Sequence, residues 1–303
     1  MVWISAHLPY EQAQAAFARL ANRHIPSTSI WRESQQQGER LRAYVAHQSE
    51  QVSVERVVLP DERTDHPQPK GGSLDGGMVN IRAEGWKEFK IGALFDVETA
   101  PVVDPETLDS LEQARAVNTA YTAVLGDVEQ FAPALWALAV ARDFPRAAET
   151  CITSDGAAWI WNLVADLFPD SVQIVDWFHA CQHLALAAQA LFPDSPLQSA
   201  AWTNIMRNAL FEGQVWQIIH ALELANLPDH AHYFKTHQRR MCYQQFREDG
   251  FPIGSGTVES GVKQFKARLT GPGMRWSRPA VLRMFVLRAA VLNNSFDYLW
   301  AVA

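Results

Sequence analysis

The chain has 303 residues, 48% of them hydrophobic and 11 of them Trp, which is enough apolar surface for one large domain or two ordinary ones and too much for wholesale disorder. A net charge of -7 counts against a protein coated in positive charge for nucleic acid. The longest nearly unbroken apolar run, Ala132 to Ala141, is too short to span a bilayer, and no basic-then-apolar signal opens the chain. With only Cys151, Cys181 and Cys242, the sequence predicts reduced thiols in a cytoplasmic protein without a membrane partner.

In chain order, residues 10–24 predict a helix with Ala13, Ala16, Phe17 and Leu20 on one face. Pro26 breaks it, and a second helix follows from about Ser29 to Tyr44, interrupted or bent near Gly38. This pair is either a structural hairpin or a partial helix-turn-helix within a helical segment over 1–60. Residues 60–72, rich in Pro, Gly and charge, predict a linker. Ser73 to Ile81 and Phe89 to Val97 predict strands, and 106–142 two helical segments with a break near Gly126. Glu149 to Ser154 predicts a strand, Ala158 to Phe168 a helix, Ser171 to Phe178 a strand, and His183 to Leu191 a helix. Residues 197–247 contain no good strand and predict an all-helical insertion, about 190–250, ahead of a helix opening at Gly256. The order implies an α/β domain over 73–303 with a mixed sheet.

Three acids stand out, each near the end of an element with glycine close by: Asp75, Asp155 and Glu259. Carboxylates are the ligands that hard cations such as Mg²⁺ require, and paired ions drive phosphoryl transfer by activating the attacking oxygen and stabilising the leaving one. Asp75 would bridge two ions from the sheet centre, with Asp155 and Glu259 holding one each. Asp96 and Asp176 also end strand-like runs and compete, Asp96 being the reserve for Asp75. Asp-Gly pairs are also ordinary turn formers.

From Gly261 to Ala290 there are seven Lys or Arg residues and no acid: Lys263, Lys266, Arg268, Arg275, Arg278, Arg283 and Arg288. Such a run is either a solvated helical face or a phosphate-binding stripe beside Glu259. Within it Lys263, Lys266, Arg268 and Arg275 are the candidate DNA contacts, and Trp276 a stacking platform for an unpaired base or a core residue. His179, Cys181 and His183 lack the second Cys/His pair of a zinc site.

The stretches Leu74-Asp75-Gly76-Gly77-Met78-Val79, Ser154-Asp155-Gly156-Ala157-Ala158-Trp159-Ile160-Trp161, Asp176-Trp177-Phe178-His179-Ala180-Cys181-Gln182-His183-Leu184, Ile253-Gly254-Ser255-Gly256-Thr257-Val258-Glu259-Ser260 and Gly273-Met274-Arg275-Trp276-Ser277 occur in one order over most of 73–303. In these the chain resembles bacterial insertion-sequence transposases of the ISKra type, in the DDE group related to Mutator-like elements. The resemblance implies a ribonuclease-H-like fold with a helical insertion before the last acid. It also implies Asp75, Asp155 and Glu259 as a triad holding two Mg²⁺ or Mn²⁺ ions, and DNA, as element ends and target, as the partner. Synapsis of two ends makes a homo-oligomer plausible. Asp176-x-x-His179 resembles a Cys-x-x-His feature of Mutator-like enzymes, with His179 orienting a carboxylate or touching phosphate. Such transposases usually carry a longer N-terminal DNA-binding region, which leaves two alternatives: a truncated or domesticated copy acting without catalysis, or a structure-specific nuclease of the same fold.

Overall fold

A computed structural model describes residues 1–55, 68–103 and 110–302 of a mixed α/β fold. Three helices come first: α1 (Val2–His7), α2 (Tyr10–Leu20) and α3 (Ser27–Glu55). Strands β1 (Lys70–Ile81), β2 (Gly85–Val103) and β3 (Ser110–Leu125) follow, then α4 (Val128–Ala141), β4 (Thr150–Ser154), α5 (Ala158–Leu167) and β5 (Val172–Val175). The rest is helical: α6 (Trp177–Leu191), α7 (Pro196–Phe211), α8 (Val215–Leu224), α9 (Pro228–His237), α10 (Tyr243–Glu248), α11 (Gly256–Leu269), α12 (Arg278–Leu292) and α13 (Phe296–Val302). No helix of the described residues is long and apolar enough to cross a membrane.

The five strands form one sheet in the order β3-β2-β1-β4-β5. The β1–β2 and β2–β3 pairs are antiparallel, while β4 runs parallel to both β1 and β5. Each face of the sheet carries its own core. Leu74, Leu94, Ile152 and Ile174 pack with Phe131, Leu135, Val164, Leu184 and Phe234 on one side. On the other, Val79, Phe89, Ile91 and Ala93 pack with Val258, Val262, Phe265 and Phe285, joined by Val2, Ala6 and Leu41 of the N-terminal helices. Period-two alternation along β1 and β2 sorts these residues between the faces.

Four sequence expectations are corrected. The first half of 106–142 is strand β3, not helix. Its opening Leu111-Glu112-Gln113-Ala114-Arg115-Ala116 is rich in helix formers, but propensities of at most about 0.7 kcal/mol per residue yield to a long ladder with β2, shifted in register once between Leu94 and Asp96. The helix read from 29 to 44 extends over Ser27–Glu55 and passes straight through Gly38. That glycine marks a helix crossing: a Cβ there would lie 2.8 Å from Arg283 Cβ and 3.3 Å from the Arg283 carbonyl oxygen on α12. The linker expected over 60–72 falls mostly outside the described residues, but Lys70, Gly71 and Gly72 belong to β1, where their partners are Asp96, Phe95 and Leu94. The strand expected over Ser171 to Phe178 ends at Val175, because Asp176 caps α6 with its side chain and turns the chain into a helix that starts at Trp177 rather than His183.

Candidate active site

Asp75 stands in the middle of β1, directly opposite Ile91 of β2. Paired residues share a face, so Asp75 lies on the side of the sheet covered by α11. Beyond the β1–β4 ladder the strands stay tied by side chains. The Leu74 N–H donates to Ser154 Oγ at 2.8 Å, and the Ser73 hydroxyl donates to the Thr153 carbonyl. Asp155, the residue that follows β4, is thereby delivered beside Asp75. Its Oδ1 accepts from the Ala157 N–H at 2.9 Å and turns the chain into α5. Asp75 Oδ1 accepts from the Gly76 N–H at 2.6 Å.

Glu259 is carried in the first turn of α11, and two sets of contacts fix that helix. At its start the buried Asp176 accepts from the Ser255 N–H, the His179 N–H (2.7 Å) and His179 Nδ1 (3.1 Å), and the Trp177 N–H reaches the Ile253 carbonyl at 2.9 Å. The end of β5, the start of α6 and the loop into α11 therefore converge on one carboxylate. One turn later, Gly261 lets α11 settle on the sheet, for a Cβ there would sit 2.5 Å from a Tyr121 ring carbon and 3.3 Å from Ile91 Cδ1. Ile91 is the residue that faces Asp75. The apolar face of α11, Val258, Val262, Phe265 and Leu269, is buried.

Electrostatics tie these groups into one neighbourhood. Burial, and then the charge of Asp155, push the Asp75 carboxyl up, against the Gly76 N–H and the charges of His179 and Lys266. His179 is raised, first by its bond to Asp176, against burial, and then by the charges of Asp176, Asp155 and Glu259. Burial works to raise Asp176, but the hydrogen bonds from His179 and Ser255 outweigh it and hold the carboxyl below its ordinary value. An ionised Asp176 only accepts, so His179 carries a proton on Nδ1 and its Nε2 remains for another partner.

The helical insertion closes over this region from α9. A Cβ at Gly156 would meet the Tyr233 ring at 2.7 Å and His237 Nε2 at 3.1 Å, and His183 stacks on Tyr233 with ring centres 3.6 Å apart. Burial, then the charges of Asp155 and Asp176, raise the Tyr233 hydroxyl, while burial and Arg240 push His237 down to about 4. The i, i+4 spacing puts Tyr233 and His237 on one helix face, but nothing in the sequence ties that face to Asp155.

Oxygen donors of Asp75, Asp155 and Glu259 suit a hard divalent cation, and after burial the charge of Asp155 works to raise the Asp75 carboxyl. Among the described residues, however, no three His, Cys, Asp or Glu side chains are drawn into a closed ligand shell. Glu259 is the outlying member, 39% exposed and 3.8 Å from Lys263 Nζ. The reserve candidate Asp96 is remote from the site. It pairs with Lys70 at 2.7 Å and Arg142 at 3.2 Å, level with the start of β1 and five residues along the ladder from Asp75, about 17 Å of strand.

Two of the expected DNA contacts are corrected. Arg268 is buried: its Nε donates to the Ser5 carbonyl at 2.7 Å, and its guanidinium lies 5.0 Å from the ring centres of both Tyr10 and Trp276. Trp276 is buried too, with its indole N–H on the Leu269 carbonyl at 2.9 Å and its backbone bridged to Ile81, so it cannot stack on a base. The wider stripe is largely occupied within the fold. Arg278 pairs with Glu84, Arg283 with Glu39 and Gln35, and Arg288 with the Gln264 and Ala6 carbonyls. Lys263 and Arg275 remain exposed, and Lys266 is half-buried, its charge acting on Asp75. A comparison of the chain with protein-family models and with curated proteins finds no match to either.

Proposed function

We propose that this protein is a DNA transposase with a ribonuclease-H-like catalytic domain, cleaving phosphodiesters at insertion-sequence ends and joining the exposed 3′ ends to target DNA. The observation that supports the reading is geometric: bonds from Ser73 and Leu74 to Thr153 and Ser154 set Asp75 and Asp155 on adjoining strands, and Asp176 ties His179 and the loop ahead of Glu259 to the end of β5. The strand order β3-β2-β1-β4-β5, with β2 alone antiparallel to its neighbours, and the helical insertion ahead of α11 support the fold. Two divalent ions, held by Asp75, Asp155 and Glu259, would supply activation of the attacking oxygen and stabilisation of the leaving one.

The protein's own residues do the positioning. Asp75 and Asp155 each commit one oxygen to a backbone N–H, which orients the carboxylate and leaves the second oxygen for a ligand. Asp176 anchors the start of α11, so the first turn that bears Glu259 is set relative to β5. His179, protonated on Nδ1 toward Asp176, offers Nε2 to a phosphate oxygen, and its raised pKa favours the cationic form there. Tyr233 and His237 pack against Gly156, next to Asp155, and bound the site on that side.

The test is nicking of duplex DNA carrying the inverted repeats that flank the coding sequence, with Mg²⁺ or Mn²⁺ and with chelator. Nicking should need the metal and should disappear in Asp155→Ala and Glu259→Ala. Full nicking in either variant overturns the assignment. Activity on branched DNA whatever its end sequence assigns the site to a structure-specific nuclease instead.

A further inference from the structure

A groove of about 570 Å³ opens on the far side of the 252–257 loop, between the N-terminus of α6, helices α7 and α10, and strand β3. Two arginines stand at its lips. The Arg207 guanidinium lies 5.7 Å from the Trp177 ring centre, and that of Arg247 lies 5.6 Å from the Phe211 ring centre. Both are exposed, and neither is salt-bridged to a carboxylate among the described residues. A third, Arg115, is already paired with Glu98 at 3.1 Å. Phe178, 63% exposed, lies against Gly254 on the groove wall. In the first turn of α6, beside the buried Asp176, this ring presents an open face to the groove.

We infer that this groove binds a single-stranded segment of polynucleotide, with phosphates on Arg207 and Arg247 and an unpaired base stacked on Phe178. The ring contacts do not neutralise the guanidiniums, and although Arg207 also reaches the Cys181 thiol, neither is paired with a carboxylate, so both keep charge and donors for a phosphate. A base reaches the face of Phe178 only when it is unpaired, so the groove selects single strand over duplex. The wall it shares with the start of α11, Gly256 and Thr257, places the bound strand next to the turn that carries Glu259. The inference rests on the proposed function for the choice of DNA as the polynucleotide.

The experiment is fluorescence anisotropy of a labelled oligothymidylate with the full chain across a salt series, beside an oligoglutamate peptide of matched charge. In Arg207→Gln/Arg247→Gln the slope of log affinity against log salt should fall by about 1.4, the loss of two single-strand phosphate contacts. Phe178→Ala should weaken binding about 5- to 150-fold with the slope unchanged. Both substitutions are at exposed positions, and an unchanged thermal melt verifies the fold. Failure of the parent to bind it, or equal binding by the parent and both groove variants, overturns the inference. So does peptide binding as tight as oligonucleotide binding, which makes the groove an acidic-peptide site. Loss of these groove effects with metal-dependent nicking intact refutes the groove alone, whereas intact binding without any nicking refutes the catalytic reading alone.

Discussion

Replacing Gly261 by Ala tests whether close contact between α11 and the sheet sets the position of Glu259. The new methyl would lie 2.5 and 2.8 Å from Tyr121 ring carbons and 3.3 Å from Ile91 Cδ1, where carbon contacts ordinarily begin near about 3.5 Å. About 1 Å must therefore open between helix and sheet. Tyr121 is poorly placed to yield, because Asn293 holds its backbone at both N–H (2.7 Å) and C=O (2.9 Å) and its ring is buried. Overpacking of this kind costs about 1–3 kcal/mol, against a gain of up to about 1 kcal/mol from replacing glycine inside a helix. The matched control is Gly256→Ala at the start of the same helix. A Cβ there meets nothing within 4 Å, and the backbone lies outside the left-handed region. That variant should be neutral or more stable by up to about 1 kcal/mol. Urea unfolding followed by tryptophan fluorescence should separate the two by about 2 kcal/mol, and melting temperatures by several degrees. Gly261→Ala should also lose nicking by about tenfold or more, since displacement by about 1 Å is costly in an oriented site. A Gly261→Ala protein as stable as Gly256→Ala refutes the packing argument.

Two titration predictions follow. Burial works to raise the Asp96 carboxyl, but bonds from Lys70 and Asn118 and the charges of Lys70 and Arg142 hold it below its ordinary value of 3.8. Its contribution is present above pH 3.8 and lost as pH falls through the lower folded value, so Asp96→Asn should cost about 2–3 kcal/mol at pH 7 and much less in acid. A gap of equal size at both pH values contradicts this. His179 should titrate above 6.5 by NMR and move down in Asp176→Asn, where its principal partner is lost. Being raised, it stabilises the fold fully below pH 6.5, an effect that fades as pH rises through the folded value. An unchanged His179 titration in the variant removes Asp176 as the cause.

Much of the sheet was legible because pattern and partner agree. In β1 and β4, apolar runs bounded by glycine or polar residues end where the strands end. β3 was not legible, because its first half spells a helix and only the β2 ladder overrides it. Gly38 was misread because local sequence cannot distinguish a glycine that breaks a helix from one that admits another helix. At the site, glycine neighbours and element ends drew attention to Asp75, Asp155 and Glu259. The role of Asp176 stayed hidden, since a strand-ending aspartate looks the same whether it caps a helix, binds an ion or clamps a loop 79 residues away. Arg268 carried a warning that was missed. At 100° per residue it falls on the opposite shoulder of α11 from Glu259 and Lys266, and that shoulder turns toward the N-terminal helices.

The fate of the basic stretch also bears on how an acidic chain could hold a polyanion. A run of cations without acids is a statement about neighbours in sequence, while neutralisation depends on neighbours in space. Arg283 meets Glu39 across 244 residues and Arg278 meets Glu84 across 194, so these charges fasten the N-terminal helices and the β1–β2 turn to α12. Cations without such partners include Lys266 and Arg275 within that stretch and Arg207 and Arg247 in the insertion. Arg207 and Arg247 share a groove with the 252–257 loop, whereas Arg275 lies beside Arg82 past the far end of α11. A basic run in sequence is therefore no measure of the charge a surface offers, because pairing across the fold decides which cations remain for an anion.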